Sequence, residues 1–200
     1  MCIRDRFTVG LTGGVAAGKS TATNFFIDKG ITVVDADLIS RNLQIQGEEG
    51  YKQIVKKFSD DILNSNNEID RKKIREIAFS DPKNKKWLED LMHPMIRDEV
   101  IKQFEKVESA WAIYSAPLWS NKNVFNRTLV IDAPKDVQLQ RIIARDNCTK
   151  EVAEQVIAQQ ISSTERNCYA TDLIVNDGSL KDLENKLEFY FELYNNLANE

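Results

Sequence analysis

The chain has 200 residues, of which 42% are hydrophobic and 29% are charged, a size and balance typical of one compact globular domain with small insertions. Its net charge of −4 argues against a nucleic-acid-binding protein, because such proteins usually present a basic surface. No apolar run approaches the ~20 residues that cross a bilayer. Its three cysteines are too widely separated for a disulfide framework or a metal cluster, so we expect a cytoplasmic protein without membrane or nucleic-acid partners.

A glycine-rich segment follows the first apolar strand directly. Residues 7–11 form a candidate strand, residues 13–20 read Gly-Gly-Val-Ala-Ala-Gly-Lys-Ser, and a helix is predicted over 21–29. This spacing is that of a phosphate-binding loop, in which glycines let successive backbone N–H groups converge on one anion. A chance glycine-rich turn is the alternative, but it rarely falls between a strand and a helix. The loop predicts binding of a nucleoside triphosphate, with Lys19 reaching the outer phosphates and Ser20 completing the shell of a magnesium ion.

Two aspartates end the second candidate strand, residues 31–34. Strand, loop, helix and strand open a parallel sheet covered by helices, whose ligands bind outside the carboxyl ends of the strands. In an extended chain the carboxylates of Asp35 and Asp37 share a face. One can then orient a magnesium-bound water while the other accepts a proton from a substrate hydroxyl. Solvated turn aspartates are the alternative, but we expect one site formed with the phosphate loop.

The segment 47–109 is predicted to be helical throughout, because its apolar residues recur at helical spacing. Asp70 and Asp81 are candidate N-caps, and Asp81 is followed by a proline at the first helical position. His93 and Pro94 are expected to interrupt the last helix. Taken alone, His93 favours a packed residue at a helix junction over a catalytic base. Such a helical block resembles a substrate-binding subdomain.

Strand signals return at 111–114, 129–132 and 173–175, which gives five candidate strands in all. The expected fold class is therefore α/β with a parallel sheet. A helix starting at Pro134 follows the fourth strand, and Thr149 is predicted to cap another that runs to about residue 162. The last helix is predicted to open with a Ser179–Asp182 capping box and to face the core with a stripe of Leu183, Leu187, Tyr190, Phe191 and Tyr194.

Three charged residues, at the end of the fourth candidate strand and in the helix after it, have two interpretations each. Asp132 ends an apolar strand, so it is either the carboxylate on the magnesium side or a cap for the helix that starts at Pro134. Arg141 and Arg145 lie four residues apart on one helical face. They either neutralise charge on the transferred phosphoryl group from a mobile flap or are ordinary solvated arginines.

Six segments of the chain occur together, in this order, in one known family. They are 13–20, Asp35-Ala36-Asp37-Leu38-Ile39-Ser40-Arg41, His93-Pro94-Met95-Ile96-Arg97, Ala116-Pro117-Leu118, Gln138-Leu139-Gln140-Arg141 with Arg145-Asp146, and Ala170-Thr171-Asp172-Leu173-Ile174-Val175-Asn176. With these segments the chain resembles the bacterial dephospho-coenzyme A kinases from about Phe7 to the last helix. The phosphate loop is shared by many kinases, whereas the Asp-Ala-Asp and His-Pro-x-Ile-Arg segments are much more specific.

The resemblance implies a fold and an activity. The fold is a three-layer P-loop kinase core with a parallel five-stranded sheet (7–46, 110–137 and 166–200), an inserted helical acceptor-binding subdomain (about 47–109) and a helical lid (about 138–165), within a single domain. The activity is the last step of coenzyme A synthesis, transfer of the γ-phosphoryl group of ATP to the ribose 3′-hydroxyl of dephospho-coenzyme A. ATP is then the co-substrate, Mg²⁺ the metal, and the protein a monomer or weak homo-oligomer.

The resemblance also implies roles for individual residues. The ATP phosphates are held by Val15, Ala16, Ala17, Gly18, Lys19, Ser20 and Thr21, with Ser20 as the metal ligand. Asp37 is the base for the 3′-hydroxyl, and Lys19 and Arg141 are the other catalytic residues. Arg145 belongs to the lid beside ATP and Asn176 lies by the adenine. The acceptor is bound by Asp35, Arg41, His93 and Arg97. In this picture Asp132 is a structural strand end.

The chain departs from the family pattern at three places. Ala17 stands where a serine is usual, but its backbone amide is unchanged, so phosphate binding is expected to survive. Residues 119–121 read Trp-Ser-Asn where the family commonly has Leu-x-Glu, which removes a carboxylate and puts acceptor affinity or turnover in question. Ser163 stands where a basic lid residue is common, which weakens the charge of the lid.

Two other functions compete with this one. A nucleotide-dependent switch that reads guanine needs an Asn-Lys-x-Asp segment, and the two Asn-Lys pairs, at 121–122 and 185–186, lack the aspartate. The remaining alternative is another small-metabolite kinase with the same loop, such as a nucleoside monophosphate kinase. The identity of the phosphate acceptor separates these enzymes.

Overall fold

The computed structural model describes residues 6–116 and 125–200, and it divides into two compact units. The core unit comprises the described residues up to Val34 and from Val107 onwards, and the helical unit comprises Asp35–Lys106. The Trp-Ser-Asn departure at 119–121, on which the expected effect on acceptor affinity or turnover depends, lies outside the described residues. The predicted boundaries of the lid and of the acceptor subdomain stay predictions.

Five strands of the described residues form one parallel sheet, as the sequence predicted. They are β1 (Phe7–Gly13), β2 (Thr32–Asp35), β3 (Trp111–Ser115), β4 (Arg127–Asp132) and β5 (Asp172–Val175), in the order β2-β3-β1-β4-β5. The central strand β1 pairs on one side with β3, where Leu11 lies opposite Ser115, and on the other with β4, where Gly13 lies opposite Ile131. This register brings the carboxyl ends of three strands together at the edge where β1 becomes the phosphate loop.

Nine α-helices lie within the described residues. They are α1 (Lys19–Asp28), α2 (Ala36–Asn42), α3 (Glu49–Phe58), α4 (Arg71–Ser80), α5 (Pro82–Glu105), α6 (Lys135–Asp146), α7 (Lys150–Ala158), α8 (Ser163–Asn167) and α9 (Leu180–Ala198), with a short 3-10 turn at Asp60–Ile62. Among the residues described, no helix combines the length and the apolar content needed to cross a membrane.

The hydrophobic core of the core unit lies between the central strands and the helices α1 and α9. Strand residues such as Leu11 and Ile113 are fully buried, as expected for a parallel sheet. The predicted stripe of α9 is confirmed, since Leu183, Leu187 and Tyr194 are buried and Tyr190 and Phe191 pack against the same cluster. This packing fixes the position of β1, and therefore the start of the loop.

The predicted helix caps are confirmed. The side chain of Asp70 accepts from the amides of Lys72 and Lys73, and that of Asp81 accepts from Lys83. Ser179 and Asp182 form the complete capping box. These caps satisfy helix N–H groups that have no partner inside the helix.

Two predicted helix boundaries were wrong. The helix capped by Thr149 ends at Ala158, and a separate helix begins at Ser163, because the hydroxyl of Ser162 accepts from the amide of Glu165 and caps a new first turn. The predicted interruption at Pro94 is absent, because α5 continues through it. A proline inside a helix removes one hydrogen bond and adds a steric clash, and the burial of Met92 and Val100, on either side of it, offsets this cost.

Candidate active site

The phosphate loop joins β1 to α1 at the carboxyl edge of the sheet. Ala16 and Gly18 have positive φ angles of 56° and 108°, and the amide of Ala17 donates to the carbonyl of Gly14 at 3.1 Å. Residues in the left-handed region turn successive N–H groups toward one side, which forms a concave anion-binding site. Ala17 is buried and takes part in this turn through its backbone, so the loop keeps its turn without the usual serine.

Lys19 and Ser20 occupy the first turn of α1, directly behind the loop. The ammonium of Lys19 donates to the hydroxyl of Ser115, at the end of β3, at 3.2 Å. The side chain of Ser20 is exposed, whereas Thr21 is half-buried. The helix therefore directs its N-terminal dipole, one lysine and one hydroxyl toward the same edge of the sheet.

Two glutamines clamp the backbone of Val15. The side-chain amide of Gln138, on α6, donates to the carbonyl of Val15 at 3.1 Å. The side-chain oxygen of Gln160, after α7, accepts from the amide of Val15 at 2.9 Å. Two residues of the predicted lid therefore fix the first half of the phosphate loop.

Arg141 and Asn176 fix the second half of the loop. The guanidinium of Arg141 donates to the carbonyl of Ala16 at 3.3 Å and to the side-chain oxygen of Asn176 at 3.4 Å. The buried amide of Asn176 in turn donates to the carbonyl of Ala17 at 2.8 Å. Both ends of the Asn176 side chain are thus used to hold the loop, and its contact with the adenine stays a prediction.

Arg145 makes a different contact, although it lies one helical turn after Arg141. Its guanidinium pairs with the neighbouring Asp146 through two hydrogen bonds of 2.7 and 2.8 Å, and both side chains are exposed. The hydrogen bond raises the pKa of the Arg145 guanidinium and lowers the pKa of the Asp146 carboxyl. A role for Arg145 in binding ATP stays a prediction.

Asp132 anchors α8 to the end of β4. Its two carboxylate oxygens accept from the hydroxyl of Ser163 and from the amide of Asn167, each at 3.0 Å. The alternative that Asp132 caps α6 is wrong, since the N-cap is Pro134 and makes no side-chain hydrogen bond. These contacts match the structural role that the family resemblance implied for Asp132, and Ser163 uses its hydroxyl there.

Arg166, on α8, places a buried guanidinium beside the same carboxylate. Its side chain is only 5% exposed, and its Nη1 atom lies 3.8 Å from Asp132. Burial lowers the pKa of this guanidinium below its ordinary value, and the Asp132 charge opposes that shift. The phosphate loop is close, because a Cβ atom on Gly14 would lie 3.0 Å from Nη1 of Arg166.

The aspartate pair belongs to the helical unit. Asp35 is the last residue of β2, and its carboxylate accepts from the amide of Leu38 at 2.9 Å, so it is the N-cap of α2. Asp37 lies in the first turn of α2 and is half-buried. The expectation that both carboxylates share one face of an extended chain was therefore wrong, because the helix begins between them.

Three predicted acceptor residues are exposed in the same unit. Arg41 lies in the last turn of α2. His93 and Arg97 lie four residues apart on α5, so they share one helical face. The expectation of a packed His93 at a helix junction was wrong, since the side chain is exposed within a continuous helix. Helices α2 and α5 pack against each other inside this unit.

Comparison with known proteins decides the family. The sequence model of the dephospho-CoA kinase family matches residues 7–182. A dephospho-CoA kinase of Idiomarina loihiensis is 40% identical over 191 residues, which cover 94% of this chain and 95% of that protein. The chain belongs to the dephospho-CoA kinase family.

Solved structures agree with this membership. The dephospho-CoA kinase from Campylobacter jejuni matches with a TM-score of 0.66 and 27% identity over 92% of this chain and 95% of that chain. A Thermus thermophilus protein matches with a TM-score of 0.79 and 26% identity over 94% and 97% of the two chains. As a member of the dephospho-CoA kinase family, the chain is an ATP-dependent kinase, and the family favours this function over a nucleotide switch or a nucleoside monophosphate kinase.

The sequence of this dephospho-CoA kinase family member assigned no role in the site to four residues. They contact the phosphate loop or Lys19, or lie beside the loop. Gln138 precedes Arg141 by three residues on α6, so helical spacing placed it on the same face. Gln160 and Ser115 gave no comparable signal, because their contacts join segments far apart in the chain. Arg166 could not be found from sequence, since charged side chains are rarely buried.

The crowded position of Gly18 gives a test of the loop. We expect Gly18→Ala to weaken ATP binding by at least ~10-fold, because its φ of 108° is costly for any side chain. The new Cβ would also lie 2.6 Å from the amide nitrogen of Asn176, which holds Ala17. Isothermal titration calorimetry with ATP measures the effect.

Gly30 is the matched control. It also has a positive φ, 82°, but a Cβ there would meet nothing within 4 Å. Gly30→Ala should therefore cost about 1–2 kcal/mol of stability and leave ATP affinity unchanged. Equal ATP affinities for the two variants would show that ATP binding by the loop does not require a residue without a side chain at position 18.

Proposed function

We propose that this chain transfers the γ-phosphoryl group of ATP to the 3′-hydroxyl of the ribose of dephospho-CoA. The observation that carries the proposal is the family match over 7–182, which begins at the strand leading into the phosphate loop. This phosphoryl transfer needs a site for the polyphosphate of ATP, a site for the acceptor that carries the hydroxyl, and a base. The following roles are assigned from the geometry of each unit and from the family resemblance.

The phosphate site is proposed to be residues 15–21 with Arg141. The loop amides bind the phosphate oxygens, and Lys19 neutralises the outer phosphates as charge moves to the leaving oxygen. Arg141 already holds the carbonyl of Ala16 and is half-buried, so its guanidinium is positioned to add positive charge beside the loop. Arg145 and Asn176 complete the proposed ATP site.

Mg²⁺ fits the donor set of this loop. The exposed hydroxyl of Ser20 is a hard oxygen ligand, the type that Mg²⁺ prefers. Among the described residues, no cluster of three or more His, Cys, Asp or Glu side chains could hold a metal, so the other ligands would be phosphate oxygens and water. Held by Ser20, the ion would supply positive charge that offsets the negative charge developing on the phosphate oxygens.

The acceptor site is proposed to lie on the helical unit. Asp37 accepts the proton of the 3′-hydroxyl as that oxygen attacks the γ-phosphorus. Asp35 positions this base, because its carboxylate caps the helix that carries Asp37. Arg41, His93 and Arg97 bind the anionic acceptor, since all three side chains are exposed and two share one face of α5.

The cellular compartment, the oligomeric state and the small-molecule partners are part of the same proposal. We place the protein in the cytoplasm as a monomer or weak homo-oligomer, with ATP and dephospho-CoA as its small-molecule partners. Widely separated cysteines support a reducing compartment.

A panel of acceptors tests the function. In a thermal-shift assay we expect dephospho-CoA to raise the melting temperature, and AMP and shikimate to leave it unchanged. A coupled assay of ADP release should then show turnover with dephospho-CoA only. Coenzyme A is the control, because its 3′-oxygen already carries the phosphate. Stabilisation and turnover with AMP instead would contradict the proposal and favour a nucleoside monophosphate kinase.

A further inference from the structure

The guanidinium of Arg166 is buried without the hydrogen bonds that a buried cation normally makes. Among the described residues, its Nε and Nη1 atoms have no hydrogen-bond partner, while Nη2 donates to the carbonyl of Ile161 at 2.9 Å. The residue is only 4% exposed. Buried polar groups are usually paired, and an unpaired one calls for an explanation.

Asp132 compensates this charge only in part. It lies 3.8 Å from Nη1 of Arg166, which is an ion pair but not a hydrogen bond. Its two oxygens already accept from Ser163 and Asn167. A neutral side chain would fill the same space with less desolvation, so the fold alone does not account for a charge here.

The position of the cation points to the phosphate loop. A Cβ on Gly14 would lie 3.0 Å from Nη1 of Arg166 and 2.5 Å from the amide nitrogen of Gln138. Gln138 in turn holds the carbonyl of Val15. Arg166 therefore lies against the same part of the loop as a residue that fixes its backbone.

We propose that Arg166 supplies a fixed positive charge to polyphosphate bound in the phosphate loop. The inference rests on the proposed function, since it takes the loop as the ATP site. In a dry protein environment a charge acts over several ångströms without direct contact, so the guanidinium stabilises the bound anion from behind the loop. Ser163 is uncharged at a position where a basic lid residue is common. Arg166, three residues later on α8, supplies a positive charge instead.

Inorganic tripolyphosphate without magnesium is the probe, and isothermal titration calorimetry is the measurement. We expect Arg166→Met to bind it at least ~10-fold more weakly than the unmodified protein, and Arg166→Lys to stay within ~3-fold, because only the first loses the charge. Wild-type affinity in Arg166→Met would overturn the inference. So would equal weakening in both variants, which would show that shape rather than charge matters.

Two further variants keep the result interpretable. Lys19→Ala is the positive control; if it binds tripolyphosphate normally, the loop is not the phosphate site and the proposed function fails together with this inference. If Lys19→Ala is weakened and Arg166→Met is not, only the inference fails. Should Arg166→Met not fold, Asp132→Asn decides. Removing the opposing charge should tighten tripolyphosphate binding by ~3-fold, whereas weaker binding would assign Arg166 a structural role and overturn the inference.

Discussion

Lys19→Ala should abolish turnover, with a loss in kcat of at least ~100-fold. The ammonium of Lys19 is the one charged group in the first turn of α1, at the edge of the sheet where the loop begins. Its removal leaves the outer phosphates without their neutralising charge as the γ-phosphoryl group moves. Steady-state kinetics with saturating dephospho-CoA measure the loss, and ATP affinity should fall as well.

Lys29→Ala is the matched control for this variant. Lys29 follows the other end of the same helix, where it pairs with Glu188 at 2.8 Å and is exposed. Surface pairs of this kind contribute little stability, so turnover should be unchanged. Retained kcat in Lys19→Ala would contradict the proposed phosphate site.

Asp37→Asn should lower kcat by ~100-fold or more while leaving ATP binding nearly intact. The amide has nearly the shape of the carboxylate but cannot accept the proton of the 3′-hydroxyl. The substitution changes none of residues 15–21, which are proposed to hold the phosphates, so ATP affinity serves as the internal control. Kinetics and ATP calorimetry on the same preparation separate the two effects.

Asp90→Asn and Asp132→Asn complete this test. Asp90 is an exposed carboxylate on α5 of the same unit, where it pairs with Lys86, and its variant should keep full turnover. Normal turnover in Asp37→Asn would show that the proton leaves by another route. A large loss of magnesium dependence in Asp132→Asn would transfer the metal-side role to Asp132 instead.

The phosphate loop and the sheet were predictable because their signals are local. The Gly-x-x-x-x-Gly-Lys-Ser spacing lies between an apolar strand and a helix, and both elements are observed. Short apolar runs that alternate with helical segments predict parallel strands, and a capping box marks the start of a helix. Asp70, Asp81 and Ser179 were found for this reason.

The support of the loop was not predictable in the same way. Val15 is clamped by Gln138 and Gln160, which lie more than a hundred residues away in sequence. Only the packing of α6 and the following segments on the sheet brings them to the loop. Family resemblance pointed to Arg141 and Asn176, but not to their hydrogen bonds with the loop carbonyls.

Two errors have different physical origins. The chain was expected to stay extended from Asp35 to Asp37, yet α2 begins at Ala36, because aspartate at a strand end is equally a favoured N-cap. Pro94 was expected to interrupt a helix, yet α5 continues through it. A proline costs a helix one hydrogen bond and adds a steric clash, and the packing of buried Met92 within the helical unit offsets that cost.

A crystal structure of the protein with dephospho-CoA and a non-hydrolysable ATP analogue tests the central claim most directly. The distance to measure is that between the carboxylate of Asp37 and the 3′-oxygen of the acceptor. The proposed mechanism predicts hydrogen-bond reach, roughly 2.6–3.2 Å, with the terminal phosphate of the analogue held by Lys19 and facing that oxygen. An Asp37 carboxylate turned away from the acceptor, or another hydroxyl facing the phosphate, would contradict it.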